Sequence, residues 1–177
     1  MENLNTTVPE YERRGDGPPL ILVSGAPGTG AGEAALARLL APRFTTYTYD
    51  RRGGETDLQD LAALIARAGG SAYVHGTSSG GVLALEAAAA GLPIRRLSVY
   101  EPPYGAVPAP AERLAAVSAR VLVLDGGASP ARTRDTARAV AAAVPRARHT
   151  TLTGQVHEVA PQVLAPVLRG FFGEAAD

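Results

Sequence analysis

The chain has 177 residues, 46% of them hydrophobic, with 17 basic and 17 acidic side chains. That is enough for one well-buried domain and too little for two, and the balanced charge offers no electrostatic footprint for nucleic acid or an anionic membrane. The absence of cysteine rules out disulfides, thiolate chemistry and cysteine-based metal sites, and fits a reducing cytoplasm. The stretch Met1-Glu2-Asn3-Leu4-Asn5-Thr6-Thr7 lacks the basic start and apolar run of a secretory signal, and no apolar run is long enough to span a bilayer. A cytoplasmic protein without a membrane partner is the expectation.

Residues 1–19 are polar and end in the turn-forming Gly15-Asp16-Gly17-Pro18-Pro19, leaving room for at most a short edge strand around Tyr11 to Arg13. Leu20 to Val23 is a continuous apolar run of the kind found in buried parallel strands. It enters a glycine-rich loop, Ser24 to Gly30, and a helix from about Glu33 to Leu40. Phe44 to Tyr49 is rich in aromatic and β-branched residues and predicts a second strand, ending at Asp50-Arg51-Arg52-Gly53-Gly54. Thr56 opens a helix whose Leu58, Leu61, Leu64 and Ile65 form one apolar stripe, as in a surface helix. The third strand, Ser71 to His75, meets the turn Gly76-Thr77-Ser78-Ser79-Gly80 and a helix running to about Ala90. Leu97–Tyr100, Val121–Leu124 and Arg148–Leu152 supply three more strands, with helices over Thr133–Val144 and Gln162–Phe172. Strict alternation with right-handed crossovers predicts a three-layer α/β sandwich, a mostly parallel sheet of about six strands flanked by helices.

In such folds ligands sit beyond the C-terminal strand ends, where strand order reverses. The first loop there matches the glycine frame of a P-loop, yet Ala31 and Gly32 stand where Lys and Ser or Thr would reach phosphate and magnesium, so nucleotide hydrolysis is set aside. No cofactor or metal is implied. The turn around Ser78 is the G-x-S-x-G pattern, in which the serine occupies a strained corner clear of the sheet and the flanking Gly76 and Gly80 avoid a crowding Cβ; a helix-capping serine is the plainer alternative. Of the three histidines, His75 and His149 fall in or beside strands and suit packing or edge roles, whereas His157 lies in the loop before the last helix and can reach back over the strand ends. A carboxylate is needed to orient it. Glu101, in Tyr100-Glu101-Pro102-Pro103, is preferred over Asp125; the order Ser78, Glu101, His157 suits this architecture.

Taken in order, Ser24-Gly25-Ala26-Pro27-Gly28, Tyr49-Asp50-Arg51-Arg52-Gly53, Gly76-Thr77-Ser78-Ser79-Gly80, Tyr100-Glu101-Pro102-Pro103 and Gly154-Gln155-Val156-His157 resemble the landmarks of the α/β-hydrolase superfamily over about residues 20–172. The resemblance implies Ser78 as nucleophile, His157 as base, and the backbone amides of Ala26 and Ser79 as oxyanion hole. Many members carry the acid at a position matching Ser129, which cannot serve; others carry it one strand earlier, where Glu101 stands. Ser24 replaces the histidine usual before the oxyanion loop. The helical cap that members commonly insert has only residues 104–118 to occupy, so a single capless domain over 1–177 is expected, with an open site or one covered by a second subunit in a homodimer. The implied activity is that of a carboxylesterase-like serine hydrolase acting on an ester-like small molecule through a Ser-His-Glu triad and an acyl-enzyme. Elimination or cyclisation in small-molecule biosynthesis, and a non-catalytic binding role, are the alternatives.

Overall fold

The computed structural model describes residues 8–26, 28–104 and 110–175. The polar segment 1–7, Pro27 of the glycine-rich loop and 105–109 of the connector lie outside the described residues. The strands are β1 (Tyr11–Arg14), β2 (Pro19–Val23), β3 (Thr45–Tyr49), β4 (Ala72–Thr77), β5 (Ile94–Tyr100), β6 (Arg120–Gly126) and β7 (Ala147–Leu152). The helices are α1 (Ala34–Leu40), α2 (Thr56–Arg67), α3 (Ser79–Ala89), α4 (Ala111–Ala115), α5 (Ala131–Ala143) and α6 (Pro161–Phe172), with a 3-10 turn, Gly30–Glu33, leading into α1.

The strands form one sheet in the order β1-β3-β2-β4-β5-β6-β7, parallel throughout except for β1, which pairs antiparallel with β3. Period-two alternation splits the apolar side chains between two cores. Ile21, Val23, Val74, Leu97, Val99, Val121 and Val123 pack with α2, α3, α4 and α5 on one face. Leu20, Leu22, Leu122 and Leu124 pack with α1 and α6 on the other, where Phe44, Tyr73, Phe171 and Phe172 form an aromatic cluster. The expected three-layer architecture is therefore present, with seven strands where about six were expected. The seventh is β1, which falls where a short edge strand was allowed around Tyr11 to Arg13 and whose side chains are mostly exposed. Between β5 and β6 the described residues hold only the single-turn α4, which was not anticipated, and no cap is evident.

Two polar features depart from the sequence pattern. β5 begins at Ile94, three residues earlier than expected, because the buried Arg96 continues the strand by donating to the Phe171 and Ala175 carbonyls at 2.7 Å each. On α2, Asp57 and Asp60 are buried rather than solvated. Asp57 accepts from Arg51 Nε and Nη2, and Asp60 pairs with Arg52. The helix thus buries an acidic edge beside its apolar stripe, and this edge anchors the loop after β3.

The strand order reverses between β2 and β4, which places the loops after these two strands on either side of a crevice. The crossing is tight. A Cβ on Gly80 would stand 2.2 Å from the Val23 carbonyl oxygen and 2.5 Å from that of Ser24, and one on Gly76 would stand 2.5 Å from the Gly80 oxygen. These contacts are backbone to backbone, so no side-chain motion relieves them. Gly80→Ala is expected to cost more than about 3 kcal/mol or to prevent folding. Gly170→Ala, on the exposed side of α6 with nothing within 4 Å of the added methyl, should instead stabilise by about 0.5–1 kcal/mol. Urea unfolding of the two variants checks both signs.

Candidate active site

Ser78 connects β4 to α3 at φ +53° and ψ −125°, a corner from which helix and strand leave in different directions. Its own N–H donates to the Tyr100 carbonyl at 2.8 Å, and its carbonyl accepts the N–H groups of Gly81 and Val82. Among the described residues, the only other non-glycine residue at positive φ is Glu101, at +46°. Such backbone costs about 1–3 kcal/mol per residue and persists only where the surroundings over-determine it. Here the two strained residues lie at the ends of the adjacent strands β4 and β5.

Glu101 is fully buried and engaged at both oxygens. Oε1 accepts the Gly126 N–H at 2.8 Å, and Oε2 lies 2.7 Å from Nδ1 of His157. The main chain holds the same residue, since the Glu101 N–H donates to the Leu124 carbonyl at 2.9 Å. The loop bearing His157 is tied down in turn. The Tyr100 hydroxyl donates to the Val156 carbonyl at 2.6 Å, the Ala128 N–H donates to the Gln155 carbonyl, and the Gln155 side chain accepts the Ala160 N–H. Gly126 is what lets this loop approach, because a Cβ there would meet the Gln155 oxygen at 2.3 Å and the Tyr100 hydroxyl at 2.7 Å. Burial, with Glu101 and Asp125 nearby, pushes the Tyr100 phenol well above its ordinary range, so it remains a donor at any working pH.

The alternative carboxylate, Asp125, is also fully buried but faces elsewhere. Alternation along β6 puts it on the side of Val121 and Val123, where Oδ2 lies 2.7 Å from Nε2 of His149 on β7. His149 is therefore paired rather than a plain edge residue. Ser129 is buried in the turn after β6, its hydroxyl without a partner. His75 is fully buried in β4 with its Nε2 3.3 Å from the Thr77 hydroxyl, and burial lowers its imidazole to about 3, which keeps it neutral.

The loop after β2 is organised by Arg51, a residue that the sequence pattern singled out without giving it a role. Besides its two bonds to Asp57, Arg51 Nη1 donates to the Ser24 carbonyl and to Ser79 Oγ, both at 3.0 Å. Ser79 Oγ also accepts the Ala26 N–H at 3.1 Å. The Ala26 amide is thus engaged by a neighbouring hydroxyl, whereas the Ser79 amide sits at the first position of α3, where a helix offers no internal acceptor. Asp50 holds the far end of the loop through the Gly30 N–H at 2.7 Å.

Ser78, Ala26 and His157 line one open cavity of about 330 Å³, bounded on its apolar side by Leu36, Val159, Pro161 and Leu164. Glu33, which sequence reading had only as the start of a helix, lines it too and is 8% exposed. Desolvation pushes its carboxyl up to about 7, opposed by a hydrogen bond from Thr77. The only hint in the sequence is an acid immediately after a loop that opens a helix. Because the folded chain holds this proton more tightly than the unfolded one, Glu33 weakens stability progressively as pH rises from about 4.5 to about 7. Glu33→Gln should therefore stabilise the protein at pH 8 by up to about 3 kcal/mol relative to its effect at pH 4; denaturant unfolding at the two pH values measures the difference. Tyr100→Phe, which leaves the Val156 carbonyl without its donor, should cost about 1–2 kcal/mol in the same assay.

The model of the Alpha/beta hydrolase family matches residues 20–176. An alpha/beta hydrolase from Sphaerobacter thermophilus DSM 20745 superposes with a TM-score of 0.86 at 38% identity, covering 92% of this chain and 95% of that one. A thermophilic esterase from Thermogutta terrifontis superposes with a TM-score of 0.79 at 17% identity, over 93% and 92% of the two chains, a likeness of fold. An uncharacterized hydrolase, YraK, of Bacillus subtilis (strain 168) is 36% identical over 43% of this chain, a match spanning about a third (34%) of that relative's length. Among the described residues no helix is long and apolar enough to cross a membrane. With the family model matched over residues 20–176 and a 38%-identical structure superposed over nearly the whole chain, the chain belongs to the alpha/beta hydrolase family.

Proposed function

We propose that the protein is a serine hydrolase that cleaves a small ester through an acyl-enzyme on Ser78. The observation that carries this is the 2.7 Å contact between buried Glu101 and Nδ1 of His157, on the wall of the cavity that Ser78 also lines. With Nδ1 committed to Glu101, Nε2 is the ring nitrogen left to serve Ser78. His157 takes the Ser78 proton as Oγ attacks the carbonyl carbon. The carbonyl oxygen becomes an oxyanion, bound by the amides of Ser79 and Ala26, and Glu101 steadies the imidazolium. The Ala26 amide leaves the Ser79 hydroxyl for this, a neutral bond of 3.1 Å exchanged for a charge-assisted one. Collapse breaks the ester C–O bond, and the leaving alkoxide takes the proton from His157. Water then repeats the sequence, releasing the acid and returning the proton to Ser78.

The test is turnover of p-nitrophenyl acetate together with labelling by a fluorophosphonate. Ser78→Ala and His157→Ala should each lower kcat by about 10³-fold or more while the protein stays folded, and Ser78→Ala should lose the label. Glu101→Gln should cost about 10²–10⁴-fold. Asp125→Asn, whose partner is His149, should change kcat by less than about threefold. Full activity in both the Ser78 and His157 variants would overturn the proposal; loss in Asp125→Asn with none in Glu101→Gln would overturn the choice of acid.

A further inference from the structure

We propose that the cavity beside Ser78 takes ester substrates carrying a protonated amine on a short aliphatic chain, with Glu33 as the ammonium's counter-charge. This rests on the acyl-transfer reading of the same cavity and adds a substrate class to it. Glu33 closes the 3-10 turn that follows the loop of Ala26, so its carboxyl is carried by the main chain into the wall that Ser78 and His157 share. Among the described residues it meets no cation. The lining includes no arginine, and the charged or titratable groups facing the cavity are Glu33, His157 and the exposed Glu158. Thr77, which also lines the cavity, gives Glu33 a neutral hydrogen bond, and its hydroxyl lies 3.3 Å from Nε2 of His75, which is buried and neutral. The nearby Arg51 is committed to Asp57, Ser24 and Ser79.

A buried carboxyl in the wall of a cavity that is otherwise bounded by Leu36, Val159, Pro161 and Leu164 is poorly solvated when charged, and a ligand that supplies the missing positive charge there relieves it. The same walls suit the methylene chain of an amine and disfavour an anionic acyl group. Since burial holds the Glu33 carboxyl at about 7, the arrival of an ammonium at neutral pH drives off the proton that Glu33 still carries.

That proton is the readout. Isothermal calorimetry of N,N-dimethylbutylamine hydrochloride at pH 7, in phosphate and in Tris, should show net proton release on amine binding to the wild type. Glu33→Gln, with its fold verified by thermal unfolding, should release none and bind at least about tenfold more weakly. In turnover, the wild type should prefer 2-(dimethylamino)ethyl butyrate to its neutral isostere 3-methylbutyl butyrate by about tenfold or more in kcat/KM. Absence of amine binding overturns the proposal, and so does proton release that persists in Glu33→Gln. Hydrolysis of the two esters at equal rates overturns it while leaving acyl transfer intact. Amine binding with proton release from Glu33, but no turnover of any ester, keeps the cation site and overturns the acyl-transfer reading instead.

Discussion

The carbonyl oxygens of Val23 and Ser24 come within 2.2 and 2.5 Å of the point where a Cβ on Gly80 would stand, and the other features of the candidate site depend on that contact. It presses the first turn of α3 against the end of β2, so the serine corner and the loop of Ala26 share one crevice. A missing Cβ on Gly25 completes the approach, because an added one would lie 2.9 Å from Ser78 Cβ. The positive φ of Ser78 is the local cost of turning from strand to helix in so little space. The buried strands on either side, packed from both faces by separate cores, hold the chain in that conformation.

Around this corner, polar groups do what apolar packing cannot: they fix orientation. Arg51 spends its donors on Asp57, the Ser24 carbonyl and Ser79 Oγ, which locks the loop after β3 to those after β2 and β4. Tyr100 spans from β5 to the Val156 carbonyl and sets the height of the loop that bears His157. Glu101 uses one oxygen on the Gly126 amide and the other on the imidazole. Because this carboxyl is pinned by the backbone, it gives Nδ1 of the ring a fixed partner.

With no cap evident among the described residues, the cavity's character comes from the few residues that line it. One side is aliphatic, and the other carries the serine, the histidine and a buried carboxyl. Glu33 is costly to keep in such surroundings, and burial alone accounts for its raised pKa. A protein gains no stability from a carboxyl so placed, which is why a role in ligand recognition is the natural place to look for its use.

Much of this was legible in the chain itself. The apolar runs at Leu20–Val23 and Val121–Leu124, the glycine turn around Ser78 and the strand-end positions of Glu101 and His157 are local patterns, so alternation and loop position determined the layered fold and the edge where these residues gather. The pairing of the short edge strand β1, the buried Arg96 and the acidic edge of α2 were not legible, because β1 and Arg96 are held by partners far along the chain, and Asp57 and Asp60 are buried only where the loop after β3 folds back to bring Arg51 and Arg52 onto the helix, of which sequence periodicity carries no record. Likewise, both Glu101 and Asp125 end parallel strands next to each other. Only the packed structure decided that His157 meets the first and His149 the second, since that outcome depends on which face of the sheet each side chain takes and on loops tethered from across the molecule.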